Sequence, residues 1–145
     1  MSEKVQNAVP RSFWVISGIA LVWNLLGVLA FVTHMTMTED ALAELPEAQR
    51  MFYESIPAWA DGAFAVAVFG GALGSLLLLL RKSLAVPVFI ASLAGLLVQM
   101  YHSFIMAGGI DIFGPGALML PGLTLVIAVF LVWYSRSASS KAWIS

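Results

Sequence analysis

Six polar or ionisable side chains lie within or at the rim of strongly apolar segments: Asn24, His34, Asp61, Gln99, His102 and Ser103. An ionisable group left unpaired in hydrocarbon is costly, so a carboxylate or imidazole there is a functional candidate by default. Asp61 carries that argument furthest. A competing reading is structural, because a carboxylate in the first turn of a helix is favoured by the helix dipole and can face interfacial water. His34 and His102 could titrate near neutrality, relay protons, or join Asp61 around a divalent metal. No HExxH or HxxH spacing supports a metal, and bis-histidine haem needs both rings deeper in a bundle, so no metal or cofactor is expected. The amides of Asn24 and Gln99 suit either hydrogen bonds between helices, at about 0.6–2 kcal/mol each, or coordination of a solute.

The elements that position these groups follow from composition. The 145 residues are 61% apolar and 10% charged, with a mean hydropathy of +0.94. A soluble domain carries about one quarter charged residues. Four stretches, 13–34, 58–80, 84–107 and 117–134, reach or approach the roughly 20 residues that cross a bilayer. They predict an all-α, integral membrane four-helix bundle, a single domain over 1–145 whose partner is the lipid bilayer, with no separate soluble module. Six of the seven Lys and Arg residues (Lys4, Arg11, Arg81, Lys82, Arg136, Lys141) flank the spans on one side. Seven of the eight carboxylates fall on the other. By the positive-inside rule both termini and the 81–83 turn are cytoplasmic, as in a multi-pass protein of a bacterial inner membrane. The first block is too long for a signal-peptide core of about 7–15 residues and reads as an uncleaved helix. Cysteine is absent, which excludes disulfide exchange and thiolate metal sites. No nucleic-acid footprint is present.

Along the first helix, a rise of about 1.5 Å per residue puts Asn24 roughly 20 Å and His34 roughly 34 Å from Arg11. The outer loop, 35–57, carries a capping box at Thr36–Glu39 and apolar Leu42, Leu45, Phe52 and Ile56 at helical spacing. Pro46 splits it into two short amphipathic helices that would lie in the interface and cap the outer mouth. In the second helix, Ala63, Ala67, Gly71 and Ser75 form a small-residue ladder, with Gly70 and Gly74 beside it, along which backbones can approach closely. Arg81-Lys82-Ser83 makes a turn short enough to fix helices two and three as an antiparallel hairpin. The third helix bears Ser92, Gly95, Gln99, His102 and Ser103 on one stripe. The fourth has Thr124 as its one polar side chain, reads as a lipid-facing or partner-facing wall, and ends at Trp133-Tyr134 before a polar tail. Trp14, Trp59 and Trp133 are interface anchors, whereas the deeper Trp23 suits a pocket wall.

The hairpin supplies a geometric expectation. Counted from its turn, Asp61 and His102 are both about 30 Å away and can face each other. Gln99 lies about one helical turn deeper, Asn24 deeper still on helix one, and His34 near the outer level. The six residues together predict a polar pocket open outward. No nucleophile with its base, phosphate-binding glycine loop or intrahelical retinal-type lysine accompanies it, so an enzyme is not expected.

The runs Trp23-Asn24-Leu25-Leu26-Gly27-Val28, Glu44-Leu45-Pro46-Glu47-Ala48-Gln49-Arg50, Pro57-Ala58-Trp59-Ala60 and Val68-Phe69-Gly70-Gly71-Ala72-Leu73-Gly74 carry a resemblance. Across about 13–106 the chain resembles a family of short, uncharacterised four-helix bacterial inner-membrane proteins, some automatically labelled "sugar transporter". The resemblance implies topology rather than mechanism, because a four-helix chain without internal duplication lacks the paired repeats of alternating-access carriers. The expected function is transport or binding of a small solute by a homo-oligomer through the outward-facing pocket. The alternative is an accessory or structural subunit of a larger membrane complex, packing its glycine ladder or its fourth helix against a partner. A redox or metal-dependent membrane enzyme stands third.

Overall fold

The computed structural model describes residues 9–145; Glu3 and Lys4, which enter the charge count, lie outside the described residues. Helix α1 spans Arg11–Met35, α2 Glu39–Ala43, α3 Glu47–Glu54 and α4 Ala58–Leu79. Helix α5, Ala85–Met100, continues without a break as a π-helical segment, Tyr101–Met106. Helix α6 spans Gly109–Phe113, and a 3-10 turn over Pro115–Leu118 leads into α7, Met119–Ser140. No strand occurs among the described residues. Arg11–Met35, Ala58–Leu79, Ala85–Met106 and Pro115–Ser140 are each long and apolar enough to cross a membrane. Large apolar side chains such as Leu29, Leu73, Ile105 and Val126 point outward from all four. That exterior suits lipid rather than water and suggests a membrane protein.

The long helices pack in the order α1, α4, α5, α7. Helices α4 and α5 form the centre: 33% and 28% of the residues in their most apolar windows are buried, against 11% and 6% for the outer pair. Close approach explains why. A Cβ at Gly74 would come within 2.8 Å of the Phe89 ring, and one at Gly95 within 2.8 Å of the Ala63 carbonyl oxygen. Gly70 faces Ser92 in the same way, and the Ser92 hydroxyl donates to the Ala67 carbonyl oxygen at 2.5 Å. Gly71 and Ser75 serve the other flank of α4, where they meet Asn24 of α1. The ladder Ala63, Ala67, Gly70, Gly71, Gly74 and Ser75 therefore divides between two helix seams.

At the end bearing the basic residues, α1 and α7 meet through aromatic rings. Phe13, fully buried, stacks with Tyr134 at 6.4 Å between centroids and meets Trp143 edge-on at 6.1 Å. The polar tail expected after Tyr134 is instead helix as far as Ser140, with Ser135 and Ala138 buried. The serine hydroxyls return to their own backbone, Ser135 to Val132 and Ser140 to Ser137, which makes a polar sequence compatible with a helix. The chain then turns at Ala142, whose φ is 60°, and tucks Ile144 into the core. The Ser145 N–H donates to the Arg81 carbonyl, the Ser83 N–H to the Ser145 carbonyl, and Arg81 Nε to the Trp143 carbonyl at 2.7 Å.

At the loop end, α2 is capped by Thr38, whose hydroxyl accepts from the Ala41 N–H at 3.1 Å. This corrects the expected capping box: Thr36 donates to Val32 of α1 and belongs to that helix's end. Glycines at positive φ, Gly108 at 66° and Gly114 at 89°, bracket α6. Phe113 of α6 meets Phe52 and Tyr53 of α3, at 5.1 and 6.1 Å between ring centroids.

Candidate functional site

Helices α1, α4, α5 and α7 enclose a cavity of about 410 Å³, within the range of small-molecule sites. Phe64, Phe89, Leu96 and Leu131 form much of its wall, and its polar side chains are Asn24, Ser92, Gln99 and Thr124. Of the six residues singled out in the sequence, Asn24 and Gln99 line it; His34, Asp61, His102 and Ser103 do not. The single outward-facing pocket expected from counting along the helices is thus two separate features.

Asn24 is committed to holding helices together. Its Nδ2 donates to Ala20 of its own helix at 2.8 Å and to the Ser75 hydroxyl of α4 at 3.2 Å. Ser75 in turn donates to the Gly71 carbonyl at 2.8 Å. The carboxamide oxygen rests against Gly71, where a Cβ would overlap it. Gln99 is differently placed. Its Nε2 donates to Ser103 one turn on at 3.1 Å, which uses one N–H. Its second N–H and its carbonyl oxygen meet no protein partner among the described residues, so this amide has both a donor and an acceptor to offer.

The share that α7 contributes is not legible in the sequence. Leu120, Pro121, Thr124, Ile127, Ala128 and Leu131 line the cavity, although α7 reads as an outer wall. The lone hydroxyl of Thr124 was the available signal. It donates to the Leu120 carbonyl at 2.8 Å, which leaves its lone pairs toward other groups.

The second feature lies at the loop end. His34 Nε2 and Asp61 Oδ1 are 2.9 Å apart, with 18% and 24% of the side chains exposed. Tyr53 and Phe64 flank the imidazole, with ring centroids at 5.9 and 5.8 Å. Asp61 was expected to face His102; the carboxylate pairs with His34 instead. His102 is buried and meets the Trp59 ring edge to face at 5.3 Å. Equal height along two helices does not fix the direction in which side chains point. The π turn, closed by the Ala107 N–H on the His102 carbonyl at 2.8 Å, rotates this stretch away from the regular α-helical stripe.

Among the described residues, no three of His, Cys, Asp and Glu gather closely enough to hold a metal ion. What the cavity can do is hold a molecule by shape and a few hydrogen bonds, with Gln99 the amide free to make them. No family model, curated protein or solved structure matches the chain.

Proposed function

We propose that this chain is a binding protein of a bacterial inner membrane, both termini cytoplasmic, that holds a small uncharged molecule in the cavity among its four long helices. Transport as a homo-oligomer is the activity this reading favours, and no catalytic step is assigned to it. One observation carries it: four helices leave a space of ligand size in which the Gln99 amide has unused hydrogen-bonding groups and, among the described residues, no charged side chain lines the wall. The segregation of Lys and Arg from the carboxylates supports the orientation. The resemblance of residues 13–106 to short four-helix inner-membrane proteins supports the location.

The test is to extract the protein gently from its own membrane at natural expression level and identify co-purifying small molecules by mass spectrometry. Wild-type protein should carry a molecule that Gln99→Leu and Ala128→Phe variants lose while keeping their thermal stability. Identical small-molecule content in all three proteins would count against the reading.

A second reading, an accessory subunit, is favoured by the outer helices. Val126 and Trp133 of α7 are exposed, as are Trp14, Ile19 and Val22 of α1, which border a shallow groove at Gly18. The native mass of the extracted complex separates the two readings. A stoichiometric different protein on these faces would make the chain a subunit.

A further inference from the structure

Resting on the reading of the cavity as a binding site, we infer that its ligand is a neutral amphiphile drawn sideways from the bilayer. Such a molecule has an apolar chain or ring system ending in a hydroxyl- or carbonyl-bearing group, docks that group on Gln99, and enters between α1 and α7.

Charge is the first constraint. Among the described residues, the lining contains no Asp, Glu, Lys, Arg or His. An ionised ligand would stand unpaired among Phe64, Phe89 and Leu96, at a cost that shape complementarity does not offset.

Hydrogen-bonding capacity is the second. A sugar-like solute bears a hydroxyl on nearly every carbon and leaves most of them unpaired in an apolar wall. The protons of Ser92 and Thr124 are already directed to backbone carbonyls, and both N–H groups of Asn24 are used. Gln99 offers the one unused N–H of these four side chains together with a carbonyl oxygen, and the hydroxyl oxygens of Ser92 and Thr124 add acceptors alone. That supply matches a ligand with one or two polar groups.

Route is the third. At the loop end ring contacts run from Phe64 in the cavity wall through His34 and Tyr53 to Phe113. At the basic end Phe13, Tyr134 and Trp143 bring α1 and α7 together. Between those ends α1 and α7 both line the cavity without packing along each other. Leu26 and Leu120, which border the cavity from the two helices, are 57% and 65% exposed. The open side is lined by leucine and faces outward along the apolar length of the spans, where a bilayer-dissolved molecule resides.

The experiment uses the full chain in phosphatidylcholine nanodiscs and a monoacylglycerol carrying a photoactivatable diazirine in its acyl chain, with labelled peptides read by mass spectrometry. Labelling should fall on cavity-lining positions of α1 and α7 and be competed by 1-monooleoylglycerol, but not by ionised oleate or by glucose. Ala128→Phe, which fills the cavity, and Gln99→Leu should each weaken competition by about tenfold, the worth of one good contact. Val129→Phe, on the exposed side of the same turn, should leave it unchanged and controls for folding. Protection by glucose and not by monooleoylglycerol would overturn the amphiphile while leaving the cavity as a binding site. Labelling confined to the outward faces, or unaffected by both cavity variants, would overturn both.

Discussion

His34 and Asp61 join the last turn of α1 to the first turn of α4 through a contact of 2.9 Å. Asp61 stands at a helix N-terminus, where the dipole favours a carboxylate, and His34 stands at the C-terminal end of its helix. The pair therefore pins two antiparallel neighbours at the loop end, as the Asn24–Ser75 bond does deeper in the same seam.

Breaking that pin should have a small and measurable effect. Both side chains are partly exposed, so screening keeps the pair near the surface value. Asp61→Asn and His34→Gln should each lower stability by less than about 1 kcal/mol, with a coupling of about 0.5 kcal/mol in a double-mutant cycle. Denaturation in mixed micelles reads it. A coupling of zero would show the two groups to be neighbours without a bond.

The Gly71–Asn24 contact predicts a larger effect with a specific rescue. Gly71→Ala sets a methyl against the carboxamide oxygen and should cost about 1–3 kcal/mol. Adding Asn24→Ala removes the obstruction, and the double variant should be more stable than Gly71→Ala alone. Thermal unfolding in detergent distinguishes this from a general preference for glycine, which Asn24→Ala would not relieve.

Ala142 holds φ at 60°, a conformation that strains any residue with a Cβ. Ala142→Gly should raise stability by less than about 1 kcal/mol, since relief in the folded chain is partly offset by greater freedom of the unfolded one. An unfolding midpoint that falls would show that the Ala142 methyl contributes more by packing than its backbone costs.

Hydrogen exchange should single out the π segment. The π segment Tyr101–Met106, closed by the Ala107 N–H on the His102 carbonyl, has wider turns than Ala85–Met100, in the same continuous helix but nearer its end. Exchange measured by mass spectrometry in nanodiscs should be faster over 103–107. Equal protection along the whole of 85–107 would contradict it.

The four long helices were legible because hydropathy over a span is a one-dimensional property, and the break at Pro46 because proline acts locally. For Asn24 the sequence left open a bond between helices or contact with a solute, and the structure shows the bond, to Ser75. The partner of Asp61 was not. Counting from the 81–83 turn gave its height, but azimuth depends on how α1 leans on α4 and on a π turn that the sequence YHSFIM does not announce. The cavity was half legible: Gln99 and Asn24 were visible as polar residues in apolar helices, whereas the α7 wall consists of residues indistinguishable by type from those that face lipid. The helix beyond Tyr134 is not legible in composition, because serine is polar yet satisfies itself within a helix.

The strap at the basic end bears on the order of assembly. Trp143 reaches back to Arg81, 62 positions earlier in the chain, and Ser145 pairs with the backbone on either side of Lys82. During synthesis the α4–α5 hairpin has its partner helices adjacent in sequence and can pair at once, while the backbone groups at its turn wait until residues 141–145 are made. Helix α7 therefore joins after the hairpin, and the strap over 141–145 closes on the turn only after α7. A chain halted before Lys141 should hold a packed hairpin with Phe13 uncovered on the side that Trp143 occupies. Protease or cross-linking access at Phe13, followed against nascent-chain length, would time that closure.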